Sequence, residues 1–177
     1  MIVAGALGLL LLAAAVVVLY AMMGELASRI PDPDGGADRV SPLAEYSPGA
    51  AASAWPTSLG GLGERGRSTL VVLSPICATC NKVAAELSTY PAERLGTFGV
   101  VVSCGSRQAG DEFISRYALD RLPHLADEGG AWVSGNFGVK MSPSALLFEE
   151  GRLTEAYTFG KLEPLLKKVR QVKEGVS

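Results

Sequence analysis

The sequence predicts an α/β fold, a mixed sheet flanked by helices and preceded by one N-terminal transmembrane helix. Three observations carry this reading. Two short, wholly apolar runs rich in β-branched residues, "TLVVLS" (Thr69–Ser74) and "FGVVVS" (Phe98–Ser103), alternate with helix-like segments. A later stretch, "SALLFEEGRLTEAYTF" (Ser144–Phe159), reads as two strands around a turn at Glu149–Arg152. The first 24 residues contain an uninterrupted apolar segment. Strands that are apolar on both faces need cover on both sides, and amphipathic helices supply it.

Each element has its own signal. "IVAGALGLLLLAAAVVVLYAMMG" (Ile2–Gly24) carries no charge, and a bilayer core takes roughly 20 apolar residues in a helix. It is longer than a signal-peptide apolar region, and no basic residue precedes it. A helix apolar all round could instead be buried in a large core, but residues 1–24 are read as a membrane anchor. Orientation is open. Arg29 and Arg39 after the anchor favour a cytoplasmic C-terminal part, yet long domains translocate regardless of flanking charge. Residues 25–67 follow as a juxtamembrane segment and a Pro/Gly/Ala/Ser-rich stretch without apolar period, read as an extended linker. Tyr46 and Trp55 are candidates to dock from it onto the domain.

The domain proper is expected over 68–177. The Thr69–Ser74 strand leads into "CNKVAAELSTY", a helix with Val83, Leu87 and Tyr90 near one stripe and Pro91 as its stop. Phe98–Ser103 is the second buried strand. "DEFISRYAL" (Asp111–Leu119) is an amphipathic helix with Phe113, Ile114 and Tyr117 inward. The hairpin comes next, and "KLEPLLKKVRQV" (Lys161–Val172) closes the chain as a helix, with Pro164 tolerated in its first turn. The expected order is therefore β-α-β-α, a hairpin, then α.

Composition excludes several functions. The formal net charge of −2 provides no basic field for nucleic acid. Three cysteines are too few for a disulfide scaffold. Two of them, Cys77 and Cys80, stand at i and i+3 where a buried strand meets a helix, in "SPICATC". Three readings fit such a pair. In a redox pair, the first thiol sits at a helix N-terminus, where N–H groups stabilise a thiolate and lower its pKa below the usual 8.5, and the second resolves the mixed disulfide. In a zinc site, they would be half of about four ligands, but no second C-x-x-C or histidine pair exists. They could also be two core thiols without chemistry. Cys104, at the tip of the second strand, reads as a buried free thiol, with a third redox partner or an intermolecular bridge as the alternative. His124 reads as a solvated loop histidine, and "GERGR" (Gly63–Arg67) as a flexible lead into the first strand.

On these residues the chain resembles the thioredoxin superfamily, and within it the membrane-anchored TlpA-like and methylamine-utilisation thioredoxin-like proteins. The points of similarity are "SPICATC", then "KMSPSALLFEEGRL" (Lys140–Leu153), then the layout of anchor, linker and domain. The resemblance implies a thioredoxin-like fold with a cis bond before Pro143, facing the cysteines. It implies a thiol–disulfide oxidoreductase in which Cys77 attacks, Cys80 resolves, and Ile76, Ser142 and Pro143 meet the substrate. It implies cysteine-containing client proteins outside the cytoplasm and a membrane redox partner that recycles the dithiol. Lipid contact runs through the N-terminal helix, and no organic cofactor or metal is needed. The chain departs from the pattern in carrying Ile76 where many thioredoxins have Trp, and Val71 where thioredoxin has a buried Asp. It also lacks the Glu that some relatives place three residues after the second cysteine. Lys82 is near in sequence but expected to face solvent, so no proton acceptor for Cys80 is identified. A redox-inactive binding module docking a membrane or respiratory partner, and a metal chaperone, remain as alternative readings.

Overall fold

The computed structural model describes residues 39–174. The chain divides into two units, Met1–Gly36 and Ala37–Ser177, and the described residues lie in the second. The anchor expected at 1–24 lies outside them. Among the described residues, no helix is long and apolar enough to cross a membrane.

The elements are β1 (Ser41–Pro42), β2 (Arg67–Leu73), α1 (Ala78–Thr89), β3 (Phe98–Cys104), α2 (Arg107–Arg116), β4 (His124–Glu128), α3 (Ala131–Phe137), β5 (Ser144–Glu149), β6 (Arg152–Thr158) and α4 (Leu162–Glu174). They form a six-stranded sheet in the order β1-β6-β5-β2-β3-β4. β2, β3 and β4 run parallel, while β5, β6 and β1 are antiparallel to their neighbours. The sheet is mixed because β2 reaches β3 through a helical crossover, whereas β5 and β6 are joined by a tight turn.

β2 explains why the core has two layers. Successive strand residues point to opposite faces. Val71 and Leu73 join the layer under α1, α2 and α4, with Val83, Leu87, Phe113 and Leu165. Leu70 and Val72 join the other layer, with Leu59, Leu62, Val133, Phe137 and Phe148. β3 does the same, with Val100 and Val102 on one side and Val101 on the other. Both faces are buried, as the unbroken apolar runs require.

Residues 39–67 differ from the expected linker. β1 pairs with β6, Ala51 bridges Arg152, and Leu59 and Leu62 are wholly buried. Trp55 docks edge-on against Phe148 at 5.2 Å and Trp132 at 5.6 Å. Leu62 reaches over Gly99 so closely that a Cβ there would stand 2.4 Å from its Cδ1. The segment has no apolar period because, beyond the two residues of β1, its regular elements before β2 are single 3-10 turns at Thr57–Leu59 and Leu62–Glu64. Single side chains pin it to one face of the sheet, and the Gly and Pro residues shape the turns between them.

β4 and α3 are further differences from the expected order. β4 is short and ends in Asp127 and Glu128, and α3 has seven residues between Gly130 and Gly138. Neither offers a readable period. The buried Asp127 makes α3 possible by another route. Its two carboxylate oxygens accept from the backbone N–H groups of Trp132 and Val133 at 2.9 and 3.0 Å, satisfying orphan donors at the helix start. His124, expected in a solvated loop, begins β4 and is half-buried, with Nδ1 2.9 Å from the Leu122 carbonyl. α2 starts at Arg107, four residues before the expected Asp111, because Ser106 caps it through Ala109 N–H.

Candidate functional site

β2 ends at Leu73, and the chain turns through Ser74–Ile76 before α1. The turn is closed by Cys77 N–H donating to the Ser74 carbonyl at 3.2 Å. Cys77 is the N-cap residue of α1, in extended backbone geometry. Its sulfur takes the place a serine or aspartate oxygen usually holds at such a cap, accepting from Cys80 N–H at 3.2 Å. No acidic residue occupies the first turn of α1. The helix end therefore presents its N–H groups and its positive dipole end to the Cys77 sulfur.

The two thiols are free and differ in environment. Cys77 is half-buried, and Cys80 has no exposed surface. Burial is the main reason that the Cys80 thiol is pushed up to about 12, and the hydrogen bond and charge of Cys77 add to it. Contacts with Ser74 and Ser142 act in the opposite direction.

The segment before β5 brings the second half of the site. The Ser142–Pro143 peptide bond is cis, as expected. The Cys77 thiol donates to the Ser142 carbonyl at 3.7 Å, a sulfur contact across 65 residues of sequence. Ser144 Oγ donates to the Met141 carbonyl at 2.6 Å, and Thr158 Oγ1 to the Pro143 carbonyl at 3.3 Å, so this loop is tied at both ends. An open cleft of about 640 Å³ runs beside the sulfur, lined by Ile76, Cys77, Ser134, Lys140, Met141 and Ser142 among others. Ile76 is 97% exposed and Met141 59% exposed. They are the exposed large hydrophobic residues of the described chain, and both line this cleft.

The structure thus brings together Cys77, Cys80, Ile76, Ser142 and Pro143. Cys104 does not join them at the surface. It is buried at the end of β3, donates to the Asp127 carbonyl at 3.6 Å, and lies under Gly110, where a Cβ would stand 2.7 Å from its sulfur. Val71 is buried in the core layer beneath α1, and Lys82 is exposed on α1. Among the described residues, no group of three or more His, Cys, Asp or Glu side chains is placed to hold a metal ion.

Three residues of the site were not assigned a role from sequence. Met141 lines the cleft from the loop before Pro143. Asn81, directly after Cys80, donates through Nδ2 to the Cys77 carbonyl at 3.0 Å and to the Pro75 carbonyl at 3.5 Å. Tyr117, at the end of α2, donates through its hydroxyl to Asn81 Oδ1 at 3.0 Å. The Asn81 signal was its position one residue past the pair. Tyr117 lies 36 residues further on and gave none.

No protein-family model matches the chain, and no curated protein sequence matches it. Among solved structures, MTB DsbF is 23% identical, with 67% of this chain and 98% of that chain covered and a TM-score of 0.49. The thioredoxin domain of a thiol–disulfide oxidoreductase from Bacteroides vulgatus is 16% identical, over 76% and 97% of the two chains, with a TM-score of 0.49. A DsbF homologue from Corynebacterium diphtheriae is 16% identical, over 75% and 87%, with a TM-score of 0.50. The fold is thioredoxin-like. In this thioredoxin-like frame, the cysteine pair sits where β2 hands over to α1, and the cis bond immediately precedes β5, its neighbour in the sheet.

Proposed function

We propose that the chain is a thiol–disulfide oxidoreductase acting on cysteines of client proteins. The observation that carries this reading is the placement of Cys77. Its sulfur is accessible, caps a helix N-terminus, accepts the Cys80 N–H and lies beside the Ser142 carbonyl. Cys80 is held one turn behind it, out of contact with solvent.

The chemistry follows from this order. The Cys77 thiolate attacks one sulfur of a client disulfide. A Cys77–client bond forms, the client disulfide breaks, and the second client sulfur leaves as a thiolate that takes up a proton. Cys80 then gives up its proton, which ends in bulk water, and attacks Cys77 Sγ. The Cys77–Cys80 bond forms, the mixed disulfide breaks, and the remaining client sulfur departs and is protonated. The client gains two electrons and the dithiol loses two; the reverse sequence oxidises a client dithiol. The pair itself carries the electrons, so the reaction calls on no organic cofactor. Ile76 and Met141 give the client's flanking residues an apolar surface. The backbone of Ser142, before Pro143, offers hydrogen bonds to an extended client segment.

The setting belongs to the same proposal. The apolar segment 2–24 anchors the chain in a membrane, in contact with lipid, and the domain faces the extracytoplasmic side, where client disulfides persist. A membrane redox partner recycles the dithiol, as the resemblance to membrane-anchored TlpA-like and methylamine-utilisation proteins implies. Labelling of Cys77 in intact cells with a membrane-impermeant thiol reagent, after mild reduction, tests the location. Labelling only after lysis would place the domain in the cytoplasm.

A second reading is favoured by one observation. Val71 stands where a proton-accepting carboxylate would be expected, and Cys80 is raised to about 12. A redox-inactive module that docks a membrane or respiratory partner through the same cleft would tolerate this. Reduction of insulin disulfides by dithiothreitol separates the two. The oxidoreductase accelerates it in a manner dependent on Cys77, and the docking module does not.

A further inference from the structure

Asn81 and Tyr117 form a chain of side-chain bonds that ends on the redox turn. Asn81 lies in the first turn of α1, one residue past Cys80. Its amide nitrogen donates to the Cys77 carbonyl at 3.0 Å and to the Pro75 carbonyl at 3.5 Å. Its backbone N–H also donates to the Cys77 carbonyl, at 3.1 Å. That carbonyl therefore receives both the helical bond and a side-chain bond. A bond from an asparagine side chain to the carbonyl of residue i−4 is a local pattern. Here a second bond, to Pro75, draws together the residue that caps the helix and a residue of the turn before it.

The amide is oriented from outside the helix. Its oxygen accepts from the Tyr117 hydroxyl at 3.0 Å, which leaves the nitrogen aimed at the two carbonyls. Tyr117 is itself fixed. It ends α2, its N–H donates to the Phe113 carbonyl at 3.3 Å, and its ring packs on Phe113 with centroids 4.9 Å apart. Phe113 is buried in the core layer that also contains Cys80. The buried end of α2 thus reaches the backbone on either side of Ile76.

We propose that Asn81 and Tyr117 are positioning residues that hold the Pro75–Cys77 turn and so set the dithiol–disulfide equilibrium of the pair. The inference rests on the oxidoreductase reading of Cys77 and Cys80. Its physical basis is that Cys77 Sγ, Cys80 N–H and the Ser142 carbonyl meet only if the turn keeps its shape. The bonds fit the turn as it stands with both thiols free. We take closure of the sulfurs into a disulfide to shift this turn and loosen them, so that they favour the dithiol and their loss favours the disulfide. The side-chain hydrogen bonds of both residues run to backbone carbonyls or to each other and not to a reacting sulfur, so both act through backbone position.

The test is the equilibrium constant of the full-length protein with a glutathione redox buffer, with melting temperature measured alongside. Tyr117→Phe keeps the ring on Phe113 and removes only the hydroxyl, so folding is retained. Expected is a shift toward the Cys77–Cys80 disulfide of about threefold, the scale of one modest hydrogen bond. Asn81→Leu shifts it further in the same direction, and Tyr117→Phe has no added effect in the Asn81→Leu background, because the tyrosine works through the amide. An unchanged equilibrium in Tyr117→Phe, a shift toward the dithiol, or an equal effect of Tyr117→Phe in both backgrounds would overturn the proposal. Insulin reduction by the wild type is scored separately. Its absence removes the oxidoreductase reading, while the glutathione equilibrium still decides the role of Asn81 and Tyr117.

Discussion

The backbone N–H of Cys80 points at the sulfur of Cys77 across 3.2 Å. One helical turn thereby gives two thiols opposite environments. The sulfur at the cap receives a donor and meets solvent, and the sulfur one turn inside is enclosed by apolar side chains. The attacking role proposed for Cys77 and the resolving role proposed for Cys80 rest on that asymmetry.

The resolving step should be limited by ionisation of Cys80. Its thiol is pushed up to about 12, chiefly by burial, with the hydrogen bond and charge of Cys77 adding to it. Release of a client from a Cys77 mixed disulfide should therefore quicken about tenfold per pH unit between roughly pH 7 and 10, as the thiolate fraction grows. Stopped-flow measurement of the released thiol checks this; a plateau below pH 8 would show that another group takes the proton. The same shift bears on stability. The native thiol stays protonated where the unfolded one ionises, so this contribution is complete below pH about 9 and is lost as pH rises toward about 12. Cys80→Ala should flatten the alkaline fall in unfolding free energy.

Ile76 and Met141 should matter for proteins and not for small disulfides. Both are exposed large hydrophobic residues lining the cleft beside Cys77. Ile76→Asp should slow exchange with insulin by about tenfold, the worth of one apolar contact, and leave exchange with a small aromatic disulfide within twofold of wild type. Equal loss on both substrates would assign Ile76 to the chemistry of the turn instead of to client contact.

Residues 39–67 should be part of the folding unit. Leu62 is wholly buried over Gly99, in the core layer against which Trp55 packs. Leu62→Ala should cost about 2–5 kcal/mol by urea unfolding, as other buried Leu truncations do. A chain begun at Ser68 should bind hydrophobic dye through the uncovered Phe137 and Phe148. A Leu62→Ala cost under about 0.5 kcal/mol, the range of surface substitutions, would restore the linker reading.

How much of this was legible in the sequence depends on whether a residue's partner is local. β2 and β3 announce themselves as unbroken apolar, β-branched runs, and the hairpin and α4 by turn residues and apolar spacing, because in each the signal lies within a few residues. The turn that carries the cysteine pair is legible for the same reason, since Cys77, Cys80 and the helix end are contiguous. Pro143 was legible only through resemblance. The segment around Leu43, Leu59 and Leu62 was hidden because each side chain finds its partner across the sheet, and nothing local repeats. α3 was hidden because its start is stabilised by Asp127 of the preceding strand through the N–H groups of Trp132 and Val133, in a glycine-rich stretch with poor helix propensity. Tyr117 and Asn81 meet only because α2 ends beside α1, which no pattern in either helix encodes.

The central claim is that Cys77 attacks and Cys80 resolves, and one trapping measurement tests it most directly. The Cys80→Ser and Cys77→Ser proteins are each reduced, freed of reductant, mixed with insulin, acid-quenched and weighed by intact-mass spectrometry. The account predicts a covalent insulin-chain adduct on Cys80→Ser, cleaved by dithiothreitol, because the resolving thiol is gone. It predicts little or none on Cys77→Ser, whose remaining thiols, Cys80 and Cys104, are both buried. Adducts of equal yield on both variants, or on neither, would contradict it.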